Sequence, residues 1–204
     1  MTGSGKSALV ELLLPELDRR REPNDPPYEF LSGGKIKRTE ALKPRHGYPK
    51  GFRLKESPSE ADMVAFTAWE AEHPEFKFDE VCDEQIRKFS TDDYRVCEGR
   101  LAHLFMLHAF KILIRCNPRI RAERRAKKYG VPYLQAMSWI SDRDDNDRRR
   151  YEILYPGYDW NLDDFDLVIT NEGIAEKELA DIALNGHRAW LKRIASNLIV
   201  PVCN

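Results

Sequence analysis

The run Gly3-Ser4-Gly5-Lys6-Ser7 is the feature of this sequence that most restricts its fold. It matches the second half of the phosphate-binding loop G-x-x-x-x-G-K-[ST], in which glycines let backbone N–H groups turn towards an anion. Such a loop leads from a strand into a helix, and leucines at near-helical spacing follow it here. The run therefore predicts an α/β fold in which Lys6 reaches nucleotide phosphates and Ser7 holds Mg²⁺.

The first half of this motif would lie before Met1, as would the strand that leads into it. A parallel sheet without its central strand leaves backbone N–H and C=O groups unpaired, and such groups cost free energy when they are buried. We therefore expect the natural chain to begin upstream of Met1, with that strand included.

Four short apolar runs predict strands, at 28–31, 94–97, 110–115 and 165–170. Helical segments separate them, and strands that alternate with helices form parallel βαβ units. The predicted fold class is therefore α/β, with a doubly wound parallel sheet of the P-loop NTPase type flanked by helices. A run at 43–58 that is rich in Pro, Gly and Lys predicts a mobile loop.

Several local signals predict how these elements begin and end. Pro15 is expected to kink or shorten the first helix because it lacks a backbone donor. The glycine pair after Ser32 predicts a turn, and the pattern S-x-x-D from Ser59 to Asp62 predicts a capping box at a helix start. Apolar residues between Leu101 and His108 predict a further helix.

Composition limits the possible partners. The 204 residues suit one domain with a substantial core, and 33 Lys and Arg balance 34 Asp and Glu, so no global field attracts nucleic acid or an anionic membrane. The basic run at 119–128 could bind nucleic acid, but a solvated helix face is the simpler interpretation. The four cysteines lack metal-ligand spacing, and neither a signal peptide nor a membrane-length apolar run is present, which together predict a reduced, cytoplasmic protein.

Charged residues on one predicted helix form a possible phosphate clamp. Arg143, Asp147 and Arg150 recur at i, i+4 and i+7 and so share a helix face. Two guanidiniums there could bind a polyphosphate, with the carboxylate orienting them or accepting a ribose hydroxyl. The alternative is a solvated helix with internal salt bridges.

Three further charged residues follow predicted strands or turns. Glu98 and Arg100 lie at the end of the second strand, and Arg38 follows the Ser32 turn. Ligands of parallel sheets bind beyond the carboxyl ends of the strands, so these side chains are candidates for Mg²⁺ and phosphate contacts. A helix cap at Glu98 and a surface cation at Arg100 are the alternatives.

Seven segments in chain order together resemble the cytidylate kinases, most closely the short archaeal type. They are GSGKS at 3–7, LSGGKIKR at 31–38, HPEFKFDEVCDEQ at 73–85, CEGRLA at 97–102, RAERRA at 121–126, RDDNDRRRY at 143–151 and FDLVIT at 165–170. The loop alone is common to many phosphate-binding proteins. The combination of EGRLA with R-D-D-x-D-R-x-R-Y is much more specific.

The resemblance implies an ATP-dependent nucleoside monophosphate kinase that moves the γ-phosphate of ATP onto CMP or dCMP with Mg²⁺ as cofactor. It implies no nucleic-acid or membrane partner, and we expect a monomer. Its implied site residues are Lys6, Arg143 and Arg150 for catalysis; Gly3, Ser4, Gly5, Lys6, Ser7 and Arg121 for ATP; Ser32, Arg38, Asp79, Asp83, Arg100 and Asp147 for the acceptor; and Ser7 and Glu98 for the metal.

The resemblance also implies a division of the single domain, 1–204. The core would comprise 1–42, 90–130 and 160–197, with an acceptor-binding insertion at 43–89 and a lid at about 131–159. Lys35, His103 and the long segment 43–72 depart from the family pattern. These departures, with the incomplete loop, leave two alternatives: a P-loop kinase for another small acceptor, or a nucleotide-binding module without catalysis.

Overall fold

The structure is a computed structural model that describes residues 3–42, 59–159 and 161–198. The predicted loop at 43–58 lies outside these residues. The helices are α1 (Lys6–Arg20), α2 (Gly33–Leu42), α3 (Glu60–Glu72), α4 (Phe78–Phe89), α5 (Pro118–Tyr129), α6 (Tyr133–Leu154) and α7 (Glu176–Leu198), and the strands are β1 (Glu29–Ser32), β2 (Arg95–Glu98), β3 (Ile112–Arg115) and β4 (Leu167–Thr170). Across the described ranges, no helix combines the length and the apolar character that a bilayer crossing requires.

The four strands form two separate parallel pairs. In the first, β1 lies beside β2, with Ser32 opposite Glu98. In the second, β3 lies beside β4, with Arg115 opposite Thr170. The predicted α/β class and the parallel pairing are confirmed, but the described residues form two two-stranded sheets rather than one continuous doubly wound sheet.

The main core lies where α1 and α7 pack against the second sheet. Leu9 and Leu13 of α1 contact Ile114 of β3 and Leu179 and Ala183 of α7, and all five side chains are buried. Full burial of a leucine or isoleucine contributes about 1.5–3 kcal/mol. This packing anchors α1, and with it the loop that precedes α1.

A large cavity separates the two sheets. Its volume is about 1320 Å³, and it is lined by β2 and by Ile112–Ile114 of β3, together with apolar side chains such as Leu13, Leu184 and Trp190. Lys6 and Arg100 lie at the end of the cavity where the strands finish. Residues of β2 and β3 line the cavity, whereas those of β1 and β4 do not, so the edges of β2 and β3 that have no partner among the described strands border it.

Two local predictions were wrong. The helix α2 begins at Gly33, directly after β1, so the glycine pair starts a helix instead of a separate turn. A Cβ on Gly33 would lie 3.2 Å from the Cys82 sulfur, which explains a glycine there. The predicted helix after Leu101 is only a short 3-10 turn at Ala102–Leu104.

Two helix signals can be compared directly with the structure. The capping box is confirmed, since the Asp62 N–H donates to Ser59 Oγ at 3.2 Å and the Ser59 N–H donates to Asp62 Oδ2 at 2.8 Å. Pro15 lies inside α1, which continues to Arg20, so it does not end the helix early. The helix is held along its length by the core rather than by local signals alone.

Candidate functional site

The loop before α1 has the backbone that an anion-binding turn requires. Gly3 and Gly5 have φ of 77° and 98°, a region that glycine enters without steric cost, and Gly5 is the N-cap of α1. A Cβ on Gly5 would lie 2.5 Å from the Asn171 amide nitrogen. The N–H groups at this helix start, aided by the helix dipole, favour a bound phosphate.

Asn171 supports the loop from the end of β4. Its amide nitrogen donates to the Ser4 carbonyl at 2.9 Å, and Arg124 donates to the Asn171 carbonyl at 3.1 Å. Ser4 is only 1% exposed, so the loop is packed against the protein. Asn171 was missed in the sequence analysis, although its position directly after a parallel strand is a signal that could have identified it.

Lys6 lies among other cations. Its ammonium is 3.4 Å from Ser4 Oγ, and burial followed by the charge of Arg100 lowers its pKa to about 8. Arg143 and Arg121 lower the pKa further, whereas Glu98 raises it. The structure thus brings together the loop lysine and three of the predicted arginines, and such a concentration of positive charge favours a polyanionic ligand.

Ser7 and Glu98 meet beside the loop. The Ser7 hydroxyl is 3.1 Å from Glu98 Oε1 and 3.2 Å from Oε2, so the hydroxyl donates to the carboxylate. Both supply the oxygen ligands that Mg²⁺ prefers. No cluster of three or more His, Cys, Asp or Glu able to hold a metal occurs among the residues that the structure describes. Ser7 and Glu98 therefore fit a Mg²⁺ that is also held by phosphates and water.

The two predicted lid arginines occupy different surroundings. Arg143 lies close enough to Lys6 to lower its pKa. Arg150 is 5% exposed and contacts three carboxylates: Asp79, Asp147 and Glu70. Burial opposes the charge of Arg150, but the Asp79 and Glu70 carboxylates outweigh it and raise its pKa. Arg150 is thus part of an ion network in this structure.

Arg100 links the loop to this network. Its guanidinium contacts Asp147 Oδ2, while Asp147 Oδ1 accepts from Arg150 NH2 at 2.7 Å. Arg100 also contributes to the lowered pKa of Lys6. Arg100 therefore lies between Lys6 of α1 and Asp147 of α6, within electrostatic reach of the first and in contact with the second. We refer to Lys6, Arg100 and Asp147 as the charged path.

The other predicted residues lie around the loop before α1 and around the ion network of Arg150. Arg121 is 1% exposed and donates to Asp144 Oδ2 at 2.6 Å, with its side chain beside Gly3 on the loop side. Ser32 ends β1 and accepts the Lys35 N–H at 3.3 Å.

On the side of the ion network, α2 carries Arg38, and α4 carries Asp79 and Asp83. Burial, followed by the charge of Asp79, raises the pKa of Asp83 to about 7. Two residues missed in the sequence analysis, Lys37 and Glu70, complete the ion network there.

Comparisons with known proteins agree with the motifs. No family model matches the chain. The chain is 27% identical over 184 residues to a cytidylate kinase of Sulfurisphaera tokodaii, which covers 88% of this chain and 87% of that protein. It is 28% identical over 148 residues to one of Thermoplasma volcanium, covering 68% and 75%. It is 34% identical over 122 residues to one of Pyrococcus horikoshii, covering 59% and 57%. These matches confirm the resemblance of the chain to the cytidylate kinases.

Proposed function

We propose that this chain, a relative of the archaeal cytidylate kinases, transfers the γ-phosphoryl group of ATP onto CMP or dCMP. The observation that carries the proposal is the convergence of charge at the head of α1. There Lys6 lies within electrostatic reach of Arg100 and Arg143, and the Ser7 hydroxyl donates to Glu98. A polyphosphate with a divalent cation would neutralise this arrangement.

The donor side consists of the loop and its neighbours. Backbone N–H groups of Gly3–Ser7 would bind the ATP phosphates, with Lys6 on the β- and γ-phosphates and Arg121 beside them. Ser7 and Glu98 would hold Mg²⁺, which when bound neutralises charge on the transferring group. Asn171 donates to the Ser4 carbonyl, and this hydrogen bond would keep that carbonyl turned away from the phosphates while the N–H groups of the loop face them.

The acceptor side consists of Arg100 and of the residues that lie farther from the loop, beginning with Asp147. Arg38 and Arg100 would hold the acceptor monophosphate, and Asp147 would accept a hydrogen bond from the acceptor nucleoside, with Ser32, Asp79 and Asp83 nearby. Phosphoryl transfer needs positioning and charge neutralisation more than a covalent catalyst. Movement of α6 with Arg143 and Arg150 would exclude water, so that ATP is not simply hydrolysed.

The domain organisation follows from the same proposal. The core at 1–42, 90–130 and 160–197 would hold ATP, the insertion at 43–89 the acceptor, and the segment 131–159 would act as the lid. The two small sheets would be the outer parts of a doubly wound sheet whose centre is the cavity between β2 and β3. We also propose a cytoplasmic monomer that acts on free nucleotides and not on nucleic acid.

Release of ADP from Mg·ATP tests the proposal, with CMP, dCMP, UMP, AMP and GMP offered separately. We expect ADP only with CMP or dCMP. ADP with another acceptor would replace the proposed substrate while keeping the kinase. Tight ATP binding without ADP from any acceptor would contradict the kinase and favour a nucleotide-binding module.

The lowered pKa of Lys6 predicts a pH dependence of nucleotide affinity. Below a pH of about 8 the ammonium is charged and can bind phosphate, whereas above it the neutral amine cannot. The affinity for a non-hydrolysable ATP analogue should therefore fall about tenfold or more from about pH 7.5 to about pH 9.5. Isothermal titration at several pH values measures this change. A Lys6→Met variant should show a weak affinity that is flat over this range, and an equally flat profile in the unaltered chain would contradict the prediction.

A further inference from the structure

Glu70 is a buried carboxylate at a site that no sequence motif marks. It belongs to α3, is 3% exposed, and contacts two cations from different helices. Its Oε1 is 2.6 Å from Lys37 Nζ of α2, and its Oε2 is 3.1 Å from Arg150 NH1 of α6. A buried charge is costly unless it is paired. Burial raises the pKa of Glu70, and the charges of Lys37 and Arg150 oppose that rise.

Asp79 closes these contacts into a ring. Its Oδ1 is 2.8 Å from Lys37 Nζ, and its Oδ2 is 2.5 Å from Arg150 Nε. Two cations and two carboxylates therefore alternate, and they come from the four helices α2, α3, α4 and α6. We refer to Lys37, Glu70, Asp79 and Arg150 as the charge ring.

The ring fixes the orientation of Arg150. The three guanidinium nitrogens face three different carboxylates: Nε faces Asp79, NH1 faces Glu70 and NH2 faces Asp147. A planar guanidinium held at three points has one orientation. Asp147 is in turn set between Arg150 and Arg100, so the position of Glu70 is transmitted through Arg150 to the proposed acceptor site.

We infer that Glu70 is a positioning residue for the acceptor. It holds Arg150 and Lys37 so that Asp147 and Arg100 present the geometry that the acceptor requires, and it makes α3 part of the acceptor site without touching the substrate. The role in turnover rests on the proposed function, whereas the coupling of α3 to α6 does not. The proposal also places Arg150 in the acceptor site rather than on the transferring phosphoryl group.

Four variants test this role: Glu70→Gln, Lys37→Met, the double variant, and Glu72→Gln as a control on the exposed side of the same helix. Glu70→Gln keeps the shape of the side chain but leaves the two cations of the charge ring facing one carboxylate, Asp79. We expect the acceptor KM to rise about tenfold, with the ATP KM and kcat nearly unchanged. The double variant restores the balance of charge and should recover most of the lost acceptor affinity.

Hydrogen exchange of the α6 amides separates failure of this inference from failure of the proposed function. Glu70→Gln should speed exchange in α6 about tenfold relative to Glu72→Gln, whether or not the chain transfers phosphate. An acceptor KM and an exchange rate equal to those of Glu72→Gln would overturn the inference. A parallel decline of Tm, kcat and both KM values would overturn it too, because it would indicate a general structural role. If Glu70→Gln does not fold, Glu70→Asp and the double variant carry the same comparisons.

Discussion

Replacement of Lys6 by methionine should abolish phosphoryl transfer without lowering the stability of the fold. A cation at the transferring group is worth about 10³-fold or more in rate, so kcat should fall by at least that factor. The fold lowers the pKa of Lys6 to about 8 through burial and the charge of Arg100. The ammonium therefore destabilises the folded state below that pH, and the stability returns as the amine loses its proton above it.

The expected combination is thus lost activity with an equal or higher Tm at pH 7. ADP release and thermal unfolding measured on the same preparation test both parts. Lys127→Met, an exposed lysine of α5, is the matched control and should change neither quantity. Residual transfer within tenfold of the unaltered chain would remove Lys6 from the proposed mechanism.

An apolar strand added ahead of residue 1 should raise the Tm by about 10 °C. The cavity of about 1320 Å³ is bordered by β2 and β3, whose edges on that side have no partner among the described strands, and Lys6 lies at the end where both strands finish. A strand that ran parallel to them would pair with both edges and then continue into the Gly3–Ser7 loop. Central parallel strands are rich in Val and Ile, which fit a slot that is apolar on both faces.

The expected gain follows from two opposing quantities. Each buried apolar side chain contributes about 1.5–3 kcal/mol, and ordering each residue costs about 1–2 kcal/mol, so five residues leave a net gain of a few kcal/mol. For a chain of this size each kcal/mol raises the Tm by about 2–4 °C. A five-residue extension rich in Val and Ile should be compared with one of equal length that contains Pro and Asp. Equal Tm values for the two extensions would show that the cavity does not accept a strand.

The parts of the site that follow from local pattern could be predicted from the sequence. The loop before α1 is specified by glycines whose positive φ values other residues rarely adopt. The four strands were identified because each is a short apolar run, and Glu98 and Arg100 were identified because they follow one of them. In these cases, neighbours in the sequence are also neighbours in the site.

The charge ring could not be predicted in this way. Glu70 has no motif, and its contacts depend on how α3 packs against α2 and α6, through partners such as Lys37 that are distant in sequence. The same limit applies to Arg150, whose spacing from Arg143 predicted a shared phosphate contact. Helical spacing places both arginines on one face of α6, but two of the three carboxylates that Arg150 contacts, Glu70 and Asp79, come from α3 and α4.

The parallel pairing of distant segments also determines when the fold can form during synthesis. Glu29 pairs with Arg95, and Ile112 pairs with Leu167, so neither sheet can close until a long stretch of chain has left the ribosome. Contacts between distant segments require loop closure before they gain any free energy, which makes folding slow. The apolar face of α1 must wait longest for its partner, because α7 is the last of the described helices along the chain. The nascent protein therefore carries an exposed leucine surface through most of its synthesis, a property typical of chains that depend on chaperones.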